Sequence, residues 1–241
     1  MIVWLASFPR SGNTFLRILL HRLYGITTSV VYDVDGVARR VGEELVGYTV
    51  RSGSYEAMRQ SETLHFIKTH RQRDDLVDDA DRAICLVRDG RDALVSWARQ
   101  RSEADRSQYR PILEALIETS SPKGTGSWGR NVLSWVQSPP THTVQVRYET
   151  LIADPDAAAA RIVGAVAPRL RLRVDPQIPS FVELQRVDPL FFRRGMVGTH
   201  RDELPDDLHS LFWSRPDNRD AMSLLGYTQM PSGLGRSRYS T

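Results

Sequence analysis

Cysteine is nearly absent from this sequence. Cys85 is the only one among 241 residues, which excludes a disulfide framework and any zinc site built from several thiolates. Long apolar runs are missing too. Ile2 to Ala6 is too short for a secretory signal and closes on Pro9-Arg10; Phe15 to Leu20 is broken by Arg17 and followed by His21-Arg22. Neither approaches the roughly 20 apolar residues that cross a bilayer, so the expectation is a cytoplasmic protein with no membrane partner. There is no strong charge bias: 32 basic against 29 acidic residues leave a formal charge of +3. That favours anionic ligands but is not the dense basic footprint of a nucleic-acid binder. Lysine is scarce, since every basic residue except Lys68 and Lys123 is arginine, a bias that genome composition explains as readily as function. What remains is an ordinary globular composition, 41% hydrophobic and 25% charged, in a chain long enough for one core without cross-links.

Four β-rich runs stand out: Ile2–Ser7, Leu64–Lys68, Ala83–Arg88 and Thr143–Tyr148. The third is apolar on successive residues, as suits a strand buried on both faces of a parallel sheet. Helical patterns lie between them. Phe15, Leu16, Leu19, Leu20 and Leu23 sit at helical spacing within 13–24, and 92–100 and 128–136 read similarly. Asp154-Pro155 supplies a capping carboxylate and a first-turn proline ahead of an alanine-rich helix. This alternation predicts an α/β fold with a central, mostly parallel sheet flanked by helices. Residues 28–62 and 99–127 carry no clear strand signal and are expected to form helical excursions or lids. One domain over 1–227 is expected, with 228–241 a Ser-, Gly- and Arg-rich peripheral tail.

The first run leads directly through Ser7-Phe8-Pro9-Arg10-Ser11-Gly12-Asn13-Thr14 into the first helix. A strand, a small-residue loop and a helix N-terminus make a P-loop-like phosphate site: unpaired N–H groups and the positive end of the helix converge there. Gly12 lets the backbone come close to a phosphate, Ser11, Asn13 and Thr14 add donors, and Arg10 adds fixed charge. This is not a Walker A sequence, because the first glycine is missing and Asn13 stands where its lysine would be.

The loop resembles the 5′-phosphosulfate loop of cytosolic-type sulfotransferases, which use 3′-phosphoadenosine 5′-phosphosulfate (PAPS). Four further blocks follow in the family's order. Lys68-Thr69-His70 is similar to its Lys-Thr-His segment, whose histidine deprotonates the acceptor hydroxyl. Arg88 and Ser96, with eight positions between their numbers, resemble its 3′-phosphate motif. Arg147-Tyr148-Glu149-Thr150-Leu151 is similar to its Tyr-Glu-x-Leu segment near the adenine, and Phe192 to Gly198 resembles its closing Arg-Lys-Gly-x-x-Gly loop. Phe181 falls where the family often has an aromatic against the adenine. Arg10 replaces the common lysine, Phe15 stands where many members stack a tryptophan on adenine, and Thr199-His200 replaces the usual Asp-Trp.

The resemblance implies transfer of the sulfuryl group of PAPS to a hydroxyl of a small or medium-sized acceptor, releasing 3′-phosphoadenosine 5′-phosphate (PAP), with no metal. His70 is then the base, Lys68 touches a sulfuryl or bridging oxygen, and Arg10 stabilises the leaving phosphate. Ser11, Gly12, Asn13, Thr14 and Phe15, together with Arg88, Ser96, Tyr148, Phe181, Arg193, Arg194 and Gly195, hold the nucleotide. Residues 28–62, 99–127 and 196–225 shape the acceptor pocket. A bacterial secondary metabolite is one acceptor class that would fit. Taken one at a time, the residues leave other readings open. Arg88 could pair with Asp89 or Asp92 at the surface, Tyr148 and Phe181 could be core aromatics, and the other histidines read as structural or surface residues. Cys85 and Arg91 have the spacing of a phosphatase loop, although Cys85 lies inside an apolar run. A kinase with a non-standard phosphate loop, or an inactive nucleotide-binding protein, would share the fold.

Overall fold

The computed structural model describes residues 1–118 and 124–227; the proposed tail 228–241 lies outside the described residues. Five strands, β1 (Ile2–Ser7), β2 (Thr28–Val30), β3 (His65–Thr69), β4 (Arg82–Val87) and β5 (His142–Arg147), form one sheet in the order β2-β3-β1-β4-β5. Every pairing is parallel, so the expected mostly parallel sheet is wholly parallel across the described strands. Side chains alternate between two covered faces, as parallel sheets require. Val3, Leu5, Ile84 and Leu86 pack under the helices Asn13–Tyr24 and Pro155–Val166. Ile2, Trp4, Ala6, Ala83 and Cys85 face the other way, against Met58 and Trp135.

Local signals set the helix ends. Gly12 and Gly25, both left-handed, bracket Asn13–Tyr24; Asp154 caps Pro155–Val166 by accepting the Ala157 N–H. A separate apolar cluster joins Phe8 to the helices Gly90–Arg101, Tyr109–Glu118, Trp128–Val136, Asp206–Ser214 and Pro216–Leu224. Among the described residues no helix is long and apolar enough to cross a membrane.

Two expectations need correction. Residues 28–62 contain a strand, β2, as well as the helices Gly36–Val41 and Tyr55–Gln60. Three residues, Thr-Ser-Val, are too few to show a period of two, and pairing with β3 is what makes them a strand. Tyr148 does not end β5 but opens the helix Tyr148–Ala153.

β1 is central, with β3 on one side and β4 on the other, so the chain reverses its direction across the sheet at β1. Open parallel sheets bind ligands at the carboxyl ends of strands flanking such a point.

Candidate active site

Parallel strands finish at the same edge, and here each finish delivers a nominated residue. β1 runs into the phosphate loop, β3 is followed by His70, β4 by Arg88 and β5 by Tyr148. A cavity of about 910 Å³ opens at this edge, lined by every nominated residue except Ser11. Of the proposed acceptor-shaping stretches, 28–62 contributes five lining residues from Tyr32 to Arg40, 99–127 only Gln100, and 196–225 Met196 and Thr199.

The phosphate loop is tightly turned. Arg10 has φ 65° and Gly12 φ 97°; a non-glycine residue in that region is a local strain that its surroundings must hold. A Cβ at Gly12 would stand 2.5 Å from the Tyr148 ring, so only glycine lets the loop and Tyr148 approach this closely. The N–H groups of Asn13, Thr14 and Phe15 precede the first helical bond, from Leu16 to the Gly12 carbonyl at 3.0 Å. The Ser11 hydroxyl is buried without a partner among the described residues. These are the features an anion would satisfy. Asn13 differs from expectation: its amide donates back to the Leu5 carbonyl (3.3 Å) and to Ser7 Oγ (3.1 Å). Its side chain braces the loop, and its backbone N–H is what it can offer a ligand.

The cavity is cationic. Arg10, Arg40, Lys68, Arg88, Arg193 and Arg194 line it, against one carboxylate, Asp156. Arg10 lies over the Phe191 ring at 4.5 Å and donates to Ser96 Oγ (3.2 Å) and the Phe191 carbonyl (2.7 Å). Burial, then the charges of Arg88 and Arg40, push its guanidinium down to about 10, so it stays charged at neutral pH. Arg88 is buried, 4.2 Å over the Tyr148 ring, and donates to the carbonyls of Arg10 (2.9 Å) and Met196 (3.0 Å). Its Nε is buried without a partner among the described residues. Asp89 pairs instead with Arg91 at 2.6 Å, while Arg88 makes a long ion pair with Asp92 at 3.8 Å that is buried and not at the surface.

The closing segment is held differently. Arg193 and Arg194 share Glu203, at 2.8 and 3.2 Å, and Arg99 reaches the other oxygen of Glu203 at 2.7 Å. Buried Asp92 accepts the N–H groups of Gly198 (2.7 Å) and His200 (2.9 Å) and bonds His200 Nδ1 (2.8 Å). Burial alone would raise the Asp92 carboxyl, but His200, Arg88 and those N–H groups hold it at about 2. His200 is therefore structural, as expected, and it anchors the loop where Thr199-His200 departs from the family pattern. Gly195, at φ 60°, lies against Phe181, whose ring a Cβ there would meet at 2.5 Å. Phe181 remains 37% exposed, while Tyr148 is buried.

His70 stands in the cavity just past the end of β3. Its Nδ1 lies 2.8 Å from the Ser7 carbonyl and 3.2 Å from Ser7 Oγ. A carbonyl can only accept, so Nδ1 carries the proton and Nε2 keeps a lone pair. Burial, then the charge of Lys68, hold the imidazole well below its ordinary range and keep it neutral. Lys68 is buried, its ammonium 5.4 Å from the centre of the Tyr32 ring. Burial lowers it to about 8, with Asp35 opposing and Arg17 adding to the shift.

Five residues that line this site or hold its parts, Tyr32 among them, went unassigned in the sequence. Ser7 sits inside the quoted loop, and Asp92 inside the quoted arginine motif. Asn131, which donates to the His70 carbonyl at 3.0 Å, and Glu203 carry no local signal. Cys85 settles one alternative: it lies within β4, and burial pushes its thiol up to about 12. No thiolate nucleophile is available there. Among the described residues no group of His, Cys, Asp and Glu is placed to hold a metal ion.

The sequence model of the sulfotransferase domain family matches residues 2–164. Among solved structures, a mouse sulfotransferase complexed with PAP aligns over 94% of this chain and 89% of its own, at 18% identity and TM-score 0.63. Retinol dehydratase in complex with androsterone and inactive cofactor PAP aligns over 92% and 80%, at 16% identity and TM-score 0.53. At such identities the likeness is one of fold. No curated protein matches the sequence.

Proposed function

Because the chain belongs to the sulfotransferase family, we propose that it transfers the sulfuryl group of PAPS to a hydroxyl of a small or medium-sized acceptor, with His70 as general base. One observation carries this reading. The Ser7 carbonyl fixes the proton on His70 Nδ1, leaving Nε2 unprotonated in the same cavity as a cationic phosphate loop. The PAP held by both structural neighbours supports it.

PAPS supplies the activated sulfuryl group. Its 5′ side suits the first-turn N–H groups of Asn13, Thr14 and Phe15, the unpartnered Ser11 hydroxyl and the charge of Arg10. Its 3′-phosphate suits Arg88, whose Nε lacks a partner, with Ser96, Arg193, Arg194 and Gly195. Phe15, Tyr148 and Phe181 offer flat surfaces to the adenine. At the reacting end His70 Nε2 takes the acceptor's proton, and the Lys68 ammonium meets charge developing on sulfuryl and leaving oxygens. Tyr32, Val34, Val37, Trp97 and Phe191 give the remaining wall an apolar character. It suits an acceptor with an apolar body and one projecting hydroxyl, and the androsterone held by the second neighbour is such a molecule.

The test is incubation with PAPS and a panel of hydroxylated aromatic and alicyclic acceptors, with products followed by mass. Sulfated product that disappears in His70→Ala is the expected result. Magnesium-dependent ATP turnover with no sulfated product would favour a kinase instead, and PAPS binding without transfer would favour an inactive binding protein.

A further inference from the structure

We propose that Tyr32 is a positioning residue for the His70 base, its phenol holding the histidine backbone where the sheet has run out of strand. This rests on the reading of His70 as the base. β2 pairs with β3 only as far as Val30 opposite Lys68, and Val31 still donates to the Lys68 carbonyl at 3.2 Å. On the other side, β1 pairs with β3 only as far as Ala6 opposite Thr69. The N–H of His70 is thus the first past β3, beyond the last paired residues of both ladders. A buried N–H without a partner is costly. The Tyr32 hydroxyl accepts it at 2.8 Å.

Three bonds orient His70: Tyr32 at its N–H, Asn131 at its carbonyl and Ser7 at Nδ1. Of these three partners only Tyr32 also lines the cavity. Its ring faces the Lys68 ammonium, so one side chain contacts both residues nominated for the reacting end. The segment bearing Tyr32 is itself fixed. Asp35 pairs with Arg17 at 2.7 Å, both side chains only 1% exposed, and caps the helix Gly36–Val41 through Val37 and Ala38. Val34, Val37 and Arg40 of the same stretch line the cavity. An acceptor that presses on this wall therefore bears on the residue that aims the base. Proton transfer needs the imidazole held close to its productive position, and loss of that alignment is expensive in rate.

Tyr32→Phe removes the hydroxyl and keeps the ring. The His70 imidazole, assigned by comparison with His70→Ala, is titrated by NMR in the full-length protein. It is expected to move from well below 6.5 in the wild type towards the ordinary histidine value in Tyr32→Phe, as the loosened ring gains solvent. With PAPS and 4-nitrophenol as probe acceptor, kcat is expected to fall roughly tenfold while KM for PAPS and affinity for PAP hold. Titration unchanged in the variant would overturn the proposal. Amide hydrogen exchange on the wild type tests it independently of any variant: the His70 N–H is expected to be protected like those of Phe66 and Ile67, and exchange as fast as an exposed loop would overturn it. Neither readout needs an acceptor. If His70→Ala keeps wild-type turnover, the base reading falls, while the titration and exchange results still decide whether Tyr32 holds His70.

Discussion

The two sides of the cavity are built by different means. On the loop side, the ends of β1 and β3 place the phosphate loop and His70 through backbone geometry: a left-handed Gly12, the first turn of a helix, a Ser7 carbonyl on the imidazole. On the closing side, residues 193–200 are held by side chains from distant parts of the chain, Asp92 on Gly198 and His200, and Glu203 on Arg193 and Arg194. Arg88 joins the two, donating to Arg10 on one side and Met196 on the other. The closing side keeps its arginines on an internal carboxylate, which the 3′-phosphate of the proposed nucleotide would have to share or displace.

The largest expected effect falls on the loop side alone. His70→Ala should lower turnover by about 100- to 10,000-fold, the usual span for a general base, while PAP affinity measured by calorimetry stays nearly intact. A parallel loss of PAP affinity would mean that the two sides are not separable.

Next comes the residue that joins them. Arg88→Ala should erase most of the preference for PAP over ADP, because a charge-assisted hydrogen bond is worth roughly 1.5–3 kcal/mol, or at least tenfold in affinity. Arg10→Ala should weaken both nucleotides, since both carry the 5′-side phosphate. Thermal shifts of each variant with each nucleotide separate these outcomes.

Asp92 tests the closing side. Its carboxyl sits at about 2 in the folded protein against an ordinary 3.8. A depressed carboxylate stabilises the fold above its unfolded value and loses that contribution as pH falls through the folded one. The wild type should therefore lose about 2 kcal/mol between pH 4 and 2 that Asp92→Asn does not lose. Identical acid-denaturation curves for the two would remove Asp92 as the anchor.

A smaller effect concerns the pH profile. The proposed transfer needs neutral His70 and protonated Lys68 together, so activity should fall in acid well below 6.5 and in alkali near 8. Lys68→Arg should carry the alkaline limb upward, because a guanidinium does not deprotonate in that range. The smallest effect is at Cys85→Ser, which should leave turnover unchanged; inactivation would revive the phosphatase reading.

The same contrast explains what could be read from the sequence. The α/β fold and four of the five strands followed from apolar runs and helical spacing, and His70, Arg88 and Tyr148 could be nominated because each sits in a short block, at or just past the end of a β-rich run, that resembles a family motif. Such signals are local. Tyr32 follows a three-residue strand too short to show alternation. Glu203 meets Arg99, and Asp92 meets His200, across more than a hundred residues, where one sequence holds no record of proximity. Asn13 was assigned as a donor to the ligand because its type and place fit, and only coordinates show its amide turned back on β1.

The central claim is that this cavity is made for a nucleotide carrying a 3′-phosphate. Calorimetric titration of the wild-type protein with PAP and with ADP tests it most directly. Charge-assisted contacts from Arg88, Arg193 and Arg194 should make PAP bind at least roughly tenfold more tightly. Equal affinity for the two nucleotides would contradict it.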